Sequence, residues 1–129
     1  MSDQVVVRIP ASTPHVGLVR AMASALAAHL NFTYDRITDL QIAIDEVCSR
    51  IMATSAPGAS HIEVTFSVGE GTLTVTAAGD QPVGEGEDFL TTWSKAILDS
   101  VTDGVEIAQQ DRISRISFQV GAVGKAGGA

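Results

Sequence analysis

Apolar residues recur along the chain at two periods, which separate strand segments from helix segments. Five segments alternate apolar with polar residues or are rich in β-branched residues, as strands are: residues 4–9, 62–67, 73–77, 105–107 and 116–120. Pro10 ends the first of them, and the Gly-rich stretch 68–71 joins the second to the third. The alternation slips near Ser114, which predicts a bulge there.

Three further segments carry apolar residues at helical spacing: residues 14–30, 35–54 and 89–101. Thr13 is the predicted N-cap of the first helix, with Pro14 at its first helical position. Trp93 lies on the apolar stripe of the third helix and is predicted to be a core residue.

The order strand, helix, helix, strand, strand, helix, strand, strand predicts an α+β fold, a two-layer α/β sandwich. One face of each strand is polar, so we expect a mixed, mostly antiparallel sheet with all three helices on its other face. Residues 1–120 are predicted to form one domain, and the small residues of 121–129 are predicted to be a disordered tail.

Charge and composition restrict the classes of partner. The 129 residues carry a formal net charge of −7 and no cluster of Lys or Arg, so direct binding of nucleic acid is not expected. No stretch approaches the ~20 apolar residues that a membrane-spanning helix needs, and the first ten residues do not resemble a signal peptide. We therefore expect a cytoplasmic protein that does not bind membranes.

The sequence offers no metal site and no disulfide. The single cysteine, Cys48, lies within an apolar helical pattern and is predicted to be a reduced, buried thiol. The three histidines, His15, His29 and His61, are not at the spacing of metal ligands, so no zinc site is predicted.

Residues 39–50, DLQIAIDEVCSR, resemble the N-box helix of the RsbW-type anti-sigma factors in the histidine-kinase-like (GHKL) ATPase superfamily, the actinobacterial branch in particular. The order and spacing of the other elements agree over nearly the whole chain. The resemblance implies the Bergerat fold of these ATPases. It also implies binding of ATP and Mg²⁺, serine kinase activity on a partner protein, and sequestration of an alternative sigma factor.

The N-box of the family contains a Glu that polarises the attacking group and, four residues later, an Asn that helps to hold Mg²⁺. Glu46 matches the Glu, but Arg50 stands at the Asn position. Residues four apart share a helix face, so an ion pair between Glu46 and Arg50 is predicted. Arg donates hydrogen bonds and cannot ligate a metal.

Two further family motifs are altered. In the motif Asp-x-Gly-x-Gly, whose Asp contacts adenine, Asp80 and Gly84 match but Pro82 replaces a glycine. A turn-forming role of Asp80 is equally open. The phosphate-cradling motif Gly-x-Gly-Leu corresponds to residues 87–92, which contain two acids and no glycine. We therefore expect weak or absent binding of ATP.

The first helix is the expected partner surface. Arg20 lies away from the apolar stripe, at the place where the family's first helix holds the sigma factor. Gly17, Ala21, Ser24 and Ala28 form a line of small residues beside it, which allows another surface to approach closely. The alternative interpretation of Arg20 is a solvated helix charge.

Two functions from different classes follow. The first is an anti-sigma factor that sequesters a stress or sporulation sigma factor and is countered by an anti-anti-sigma (STAS-domain) protein. The second is an ATP-dependent serine/threonine kinase of that STAS partner, for which Glu46 would be catalytic. Whether the chain has enzymatic activity stays open, with weak or no activity favoured. A homodimer and a purely structural role are also left open.

Overall fold

The structure is a computed structural model that describes residues 3–55, 58–84, 86, 88–111 and 113–123. Its elements are β1 (Asp3–Pro10), α1 (Thr13–His29), α2 (Tyr34–Thr54), β2 (His61–Gly69), β3 (Thr72–Gly79), α3 (Thr92–Val101), β4 (Gly104–Gln110) and β5 (Ile113–Gly121). Among these elements, no helix is both long enough and apolar enough to cross a membrane.

The five strands form one sheet in the order β1-β2-β3-β5-β4. The α+β class is confirmed, but all four pairings between neighbouring strands are antiparallel, so the expectation of a mixed sheet is wrong. β3 and β4 do run in the same direction. They do not pair with each other because the β4–β5 hairpin inserts β5 between them.

The helices pack on one face of the sheet, here called the inner face. The buried strand residues of this face are Ile9, Ile62, Val64, Phe66, Leu73, Val75, Ala77, Ile116, Phe118 and Val120. α2 is the central helix: it packs against both α1 and α3 as well as against β3 and β5. The predicted arrangement of three helices on one face is therefore confirmed.

Four local expectations are wrong. α1 begins at Thr13 with Ser12 as its N-cap, one residue earlier than expected. The β4–β5 register passes through Ser114 without a bulge, because Ser114 is an inward-facing polar residue rather than an extra one. α3 begins at Thr92 instead of residue 89, and the side chain of Trp93 is 74% exposed.

The chain end of β5 is fastened to α2 by a buried arginine. Arg36, which is 2% exposed, donates hydrogen bonds to the Gly121 carbonyl (3.1 Å) and to the carboxylates of Asp39 and Asp103 (2.9 Å each). Gly121 therefore belongs to the sheet, and the Ala122 carbonyl accepts from the amide of Thr33 (3.1 Å). The remainder of the predicted tail, residues 124–129, lies outside the described residues.

Candidate functional site

Glu46 lies on the side of α2 that meets α3, and its carboxylate is held by a serine. Glu46 Oε2 accepts a hydrogen bond of 2.6 Å from Ser94 Oγ, in the first turn of α3. Thr91, the N-cap of α3, accepts from the Ser94 amide (3.0 Å) and shares a hydrogen bond with its hydroxyl (2.9 Å). The local sequence Thr91-x-x-Ser94 thus starts α3 and positions the hydroxyl that bonds Glu46.

Arg50 does not form the predicted ion pair with Glu46. Its Nε donates to the Phe89 carbonyl (2.8 Å) and its terminal NH2 group donates to the Asp88 carbonyl (2.9 Å). The physical reason is competition: the segment before α3 offers Arg50 two carbonyl oxygens, while Glu46 is already satisfied by Ser94. Glu46 and Arg50 therefore act separately: Glu46 bonds the first turn of α3, and Arg50 bonds the segment that leads into it.

The same contact pattern continues to the C-terminal end of α2. The Gly84 amide donates to the Thr54 carbonyl (2.8 Å), and Val83 forms an isolated β-bridge with Ser55. Glu46 is thus bonded to the first turn of α3, whereas Arg50, Thr54 and Ser55 are bonded to the connection between β3 and α3. Protein groups therefore bond this side of α2 along its C-terminal half.

The residues present do not fit a magnesium ion. Arg50 has no lone pair to give a metal and brings a fixed positive charge to the position where the motif calls for a ligand. Within the described part of the chain, no three His, Cys, Asp or Glu residues are grouped so that they could hold a metal. Of the predicted phosphate-cradling stretch, Glu87 lies outside the described residues, and the Asp88 side chain is exposed.

Asp80 is held at the start of the loop after β3. Its carboxylate accepts hydrogen bonds from the Ser60 amide (2.9 Å) and from the Ser60 hydroxyl. The Ser60 hydroxyl is the main reason that the pKa of Asp80 falls from 3.8 to about 2, with the amides of Ser60 and His61 assisting. Asp80 thus joins the loop after β3 to the residue that precedes β2. A contact of Asp80 with adenine stays a prediction.

The predicted partner residues of α1 lie beside α2. Arg20 donates to Asp45 (2.5 Å), and both side chains are about half exposed, at 39% and 50%. Ser24 accepts from the Gln41 side chain (2.8 Å), whereas Gly17 borders Arg20, whose guanidinium would lie 3.4 Å from an added Cβ. Arg20 is therefore half of an intramolecular ion pair and not the isolated cation that the sequence suggested.

Cys48 is a buried free thiol of α2 near Asp45 and Arg20. Burial raises the pKa of its thiol to about 12, and the neighbouring carboxylate of Asp45 acts in the same direction, against the opposing effect of Arg20. A thiol with this pKa stays protonated near neutral pH and does not act as a nucleophile. The prediction of a buried, reduced cysteine agrees with this environment.

Sequence reasoning missed Ser94, Ser60 and Asp45, which are the direct partners of Glu46, Asp80 and Arg20. One signal for the position of Ser94 was present, because Thr91 is a favoured N-cap residue and an N-cap places the residue three positions on in the first turn. The other two partners lie 20 and 25 residues from the side chains they bind, so only the folded chain brings them together.

Comparison with known proteins agrees with this architecture. Residues 9–111 match the histidine kinase-like ATPase domain family. The chain is 37% identical over 89 residues to a serine-protein kinase RsbW of Bacillus velezensis, covering 67% of this chain and 54% of that protein. It is 31% identical over 90 residues to the RsbW of Bacillus subtilis, covering 68% and 54%. The chain thus spans about half the length of these curated relatives.

Proposed function

Because the chain belongs to the histidine kinase-like ATPase domain family and is of the RsbW type, we propose that it is an anti-sigma factor that works by binding alone. It sequesters an alternative sigma factor of the stress or sporulation class in the cytoplasm. An anti-anti-sigma protein with a STAS domain counters it by competing for the complex. Transcription is thereby regulated without phosphoryl transfer by this chain.

The observation that carries this proposal is the bonding of Arg50. Its guanidinium donates hydrogen bonds to the Asp88 and Phe89 carbonyls and so connects the segment before α3 to α2. In a nucleotide-dependent relative, a metal ligand at this position would link the helix to the bound nucleotide. Here a protein cation makes a direct link, which supports a fold that is assembled for partner binding without ATP or Mg²⁺.

We place the sigma-factor contact on the surface formed by Arg20, Gly17 and Ser24 of α1, together with Asp45 of α2. Small residues permit close approach, and a half-exposed Arg–Asp pair offers a partner both signs of charge. A partner carboxylate can displace Asp45 from Arg20 at small cost, because exposed ion pairs contribute only about 0.2–1 kcal/mol. A planar guanidinium in a flat setting is a typical interface hot spot.

The deciding experiment is calorimetry with the alternative sigma factors of the source genome, with and without Mg-ATP. We expect a complex to form without nucleotide, and Mg-ATP to leave its affinity essentially unchanged. Arg20→Ala is expected to weaken the complex by about 2 kcal/mol while hardly changing the melting temperature. Arg8→Ala, an exposed arginine on β1, is the matched control. Failure of every alternative sigma factor to bind would reject the proposal.

One observation favours a second function, that of an ATP-dependent kinase of the STAS partner. Glu46 accepts a hydrogen bond from a serine hydroxyl, which is the geometry that a general base needs. A serine of the partner would have to take the place of Ser94. A low-micromolar dissociation constant for a fluorescent ATP analogue in Mg²⁺, with phosphoserine appearing on the STAS protein, would establish this function instead.

Arg50→Asn separates the two functions further, because it restores the ligand type of the N-box. If the chain retains a nucleotide site, this variant should bind ATP with a stronger dependence on Mg²⁺ than the wild type. A thermal shift with Mg-ATP reads this directly, since a ligand that binds only the folded state must stabilise it. No shift in either protein agrees with a regulator that does not use nucleotide.

A further inference from the structure

The helical layer ends before the sheet does. Val105 and Ile107 of β4 are cross-strand partners of Phe118 and Ile116, so their side chains belong to the inner face. Phe118 and Ile116 are fully buried, but Ile107 is 46% exposed. An inner-face isoleucine is ordinarily covered by the second layer, so this edge of the molecule presents apolar surface that the described residues do not cover.

A groove of about 180 Å³ lies between α3 and this uncovered edge. It is lined by Leu90, Lys95, Leu98, Asp99, Val105 and Ile107. Four of the six are aliphatic, and the two charged residues come from successive turns of α3. An aliphatic-lined cavity of roughly 150 Å³ is large enough for benzene, so the groove can accept one Leu-sized or Phe-sized side chain.

β4 also offers backbone groups beside the groove that no other strand of the described residues pairs. It is the last strand of the sheet, so alternate N–H and C=O groups along its 7 residues point away from β5. Edge strands are commonly protected by charged residues, Lys above all, or by Pro. β1, the opposite edge, contains Asp3, Arg8 and Pro10, whereas β4, with the sequence GVEIAQQ, contains only Glu106 of these types.

We propose that β4 and the adjoining groove bind an extended segment of a partner protein by strand addition. The segment pairs with the β4 backbone and places one large aliphatic side chain in the groove, which is how sheet edges recognise peptides. Its charge is basic, because Glu106 on β4 and Asp111 at the hairpin turn are both exposed and the chain has a net charge of −7. Lys95 lies in the groove wall, so the basic residues of the segment lie outside the groove, opposite these acids.

This surface is separate from the α1 surface of the proposed function, and the inference does not rest on that function. α1 packs over β1 at one edge of the sheet, while the groove lies at the other edge. Ile107→Glu is therefore expected to leave the affinity for a sigma factor unchanged. If no sigma factor binds the wild type, the experiment below still decides whether β4 binds a strand.

The probe is a synthetic peptide of about the length of β4, in which Lys alternates with Val and a central Leu. We expect it to bind, with amide chemical-shift changes and slowed hydrogen exchange confined to β4 and the first turns of α3. Ile107→Glu should weaken binding roughly tenfold or more, since a charge replaces an apolar contact. Val6→Glu on the other edge strand is the matched control and should bind like the wild type. Equal binding by both variants would overturn the proposal.

Two N-methylated forms of the peptide distinguish strand pairing from attraction between charges. Each form carries methyl groups on every second amide, in one or the other phase, so that only one form can donate hydrogen bonds to β4. We expect one form to bind and the other to fail. Equal binding of the two forms would show a salt-sensitive charge contact and contradict strand addition.

The remaining occupant is a second copy of this chain, paired edge to edge through β4. Sedimentation velocity without peptide tests this alternative. We expect the wild type and Ile107→Glu to have the same oligomeric state. A dimer that this variant abolishes and that Val6→Glu preserves would show that a second copy fills the edge. That result would overturn the assignment of the groove to a different partner protein.

Discussion

At the scale of single residues, Asp80 links the loop after β3 to pH. The Ser60 hydroxyl and amide bind its ionised carboxylate and lower its pKa from 3.8 to about 2. A group whose pKa is lower in the folded state stabilises the fold fully above its unfolded pKa. This contribution decreases as the pH falls through about 4 and is lost below about 2. The protein is therefore expected to lose stability over this acid interval.

The prediction is that Asp80→Asn lowers the urea midpoint at pH 7 but has progressively less effect towards pH 2. Ser60→Ala should give the same trend at reduced size, because it leaves the backbone donor of residue 60 in place. Asp111→Asn is the matched control, since Asn tolerates the φ of 55° found at that position. Parallel pH profiles for the wild type and Asp80→Asn would contradict this account.

The chemistry of position 50 could be predicted from the sequence, but its partners could not. A guanidinium cannot ligate a metal in any orientation, so the misfit between Arg50 and Mg²⁺ follows from the residue type alone. The predicted partner, Glu46, followed from helical spacing. The actual acceptors lie 38 and 39 residues further along the chain, and no local pattern indicates them.

At the scale of elements, Arg50 fastens the entry of α3. Arg50→Ala is expected to increase backbone hydrogen exchange by about tenfold or more in residues 88–98, because two charge-assisted hydrogen bonds are lost. Exchange in β2 should not change. Ser49→Ala, the exposed neighbour on α2, is the control, and Arg50→Lys should restore part of the protection because it keeps one donor group near the carbonyls. Unchanged exchange in Arg50→Ala would mean that packing alone holds α3.

The buried side of α3 was assigned only partly correctly. The predicted apolar stripe was Phe89, Trp93, Ile97 and Val101, of which Val101 faces the core and Trp93 does not. Phe89 is buried but precedes the helix, which begins at Thr92 and also turns Ser94 and Leu98 towards the core. Ser94 is a polar residue whose hydrogen bonds to Glu46 and Thr91 allow it to be buried, so the pattern of apolar residues could not indicate its burial. The alternating strands were correctly identified because both polar and apolar positions recur there with one period, whereas a helix of 10 residues offers only two or three turns to compare.

The burial of Leu98 and the exposure of Trp93 predict different losses of stability when each residue is truncated. Leu98→Ala is expected to lower the free energy of unfolding by about 2–4 kcal/mol, because it leaves a cavity under α3. Trp93→Ala should change it by less than about 0.5 kcal/mol, because the indole is mostly in water. Urea unfolding followed by circular dichroism measures both, since Trp93 is the single tryptophan and its removal abolishes the fluorescence signal. A larger loss for Trp93→Ala than for Leu98→Ala would reverse the assignment.

At the scale of the whole molecule, the order of elements predicted the two layers correctly but did not predict which strands lie at the edges of the sheet. The two hairpins are antiparallel because of their short turns, so they follow from the element order. The antiparallel pairing of all neighbouring strands does not, since a mixed sheet was expected from that order. Which strand ends the sheet depends on the side of β5 that β4 takes after α3. That choice leaves Ile107 uncovered and is made by packing between elements distant in sequence.

Arg36 joins the start of α2 to the end of β5, and no sequence motif indicated this role. Its guanidinium binds the Gly121 carbonyl, Asp39 of its own helix, and Asp103 in the turn before β4. Asp103 also accepts from the Gly121 amide (2.7 Å), so one buried cation organises α2, the α3–β4 turn and the end of β5. Its side chain is 3% exposed, whereas those of Asp39 and Asp103 are about one-third exposed.

The prediction is that Arg36→Met destabilises the protein by about 2–4 kcal/mol. Methionine fills much of the space but removes the cation from two carboxylates, leaving Asp103 with only the Gly121 amide as donor. Removing one partner of a buried ion pair is costly. The expected loss of stability is smaller than for a fully enclosed ion pair because water reaches both carboxylates.

Arg8→Met, at an exposed position on β1, controls for the loss of one positive charge and should change the stability by less than about 0.5 kcal/mol. Urea unfolding at neutral pH measures both, and amide exchange should rise at Gly121 and Ala122 only in Arg36→Met. Equal stability of the two variants would mean that the contact between α2 and β5 rests on apolar packing and not on the buried cation.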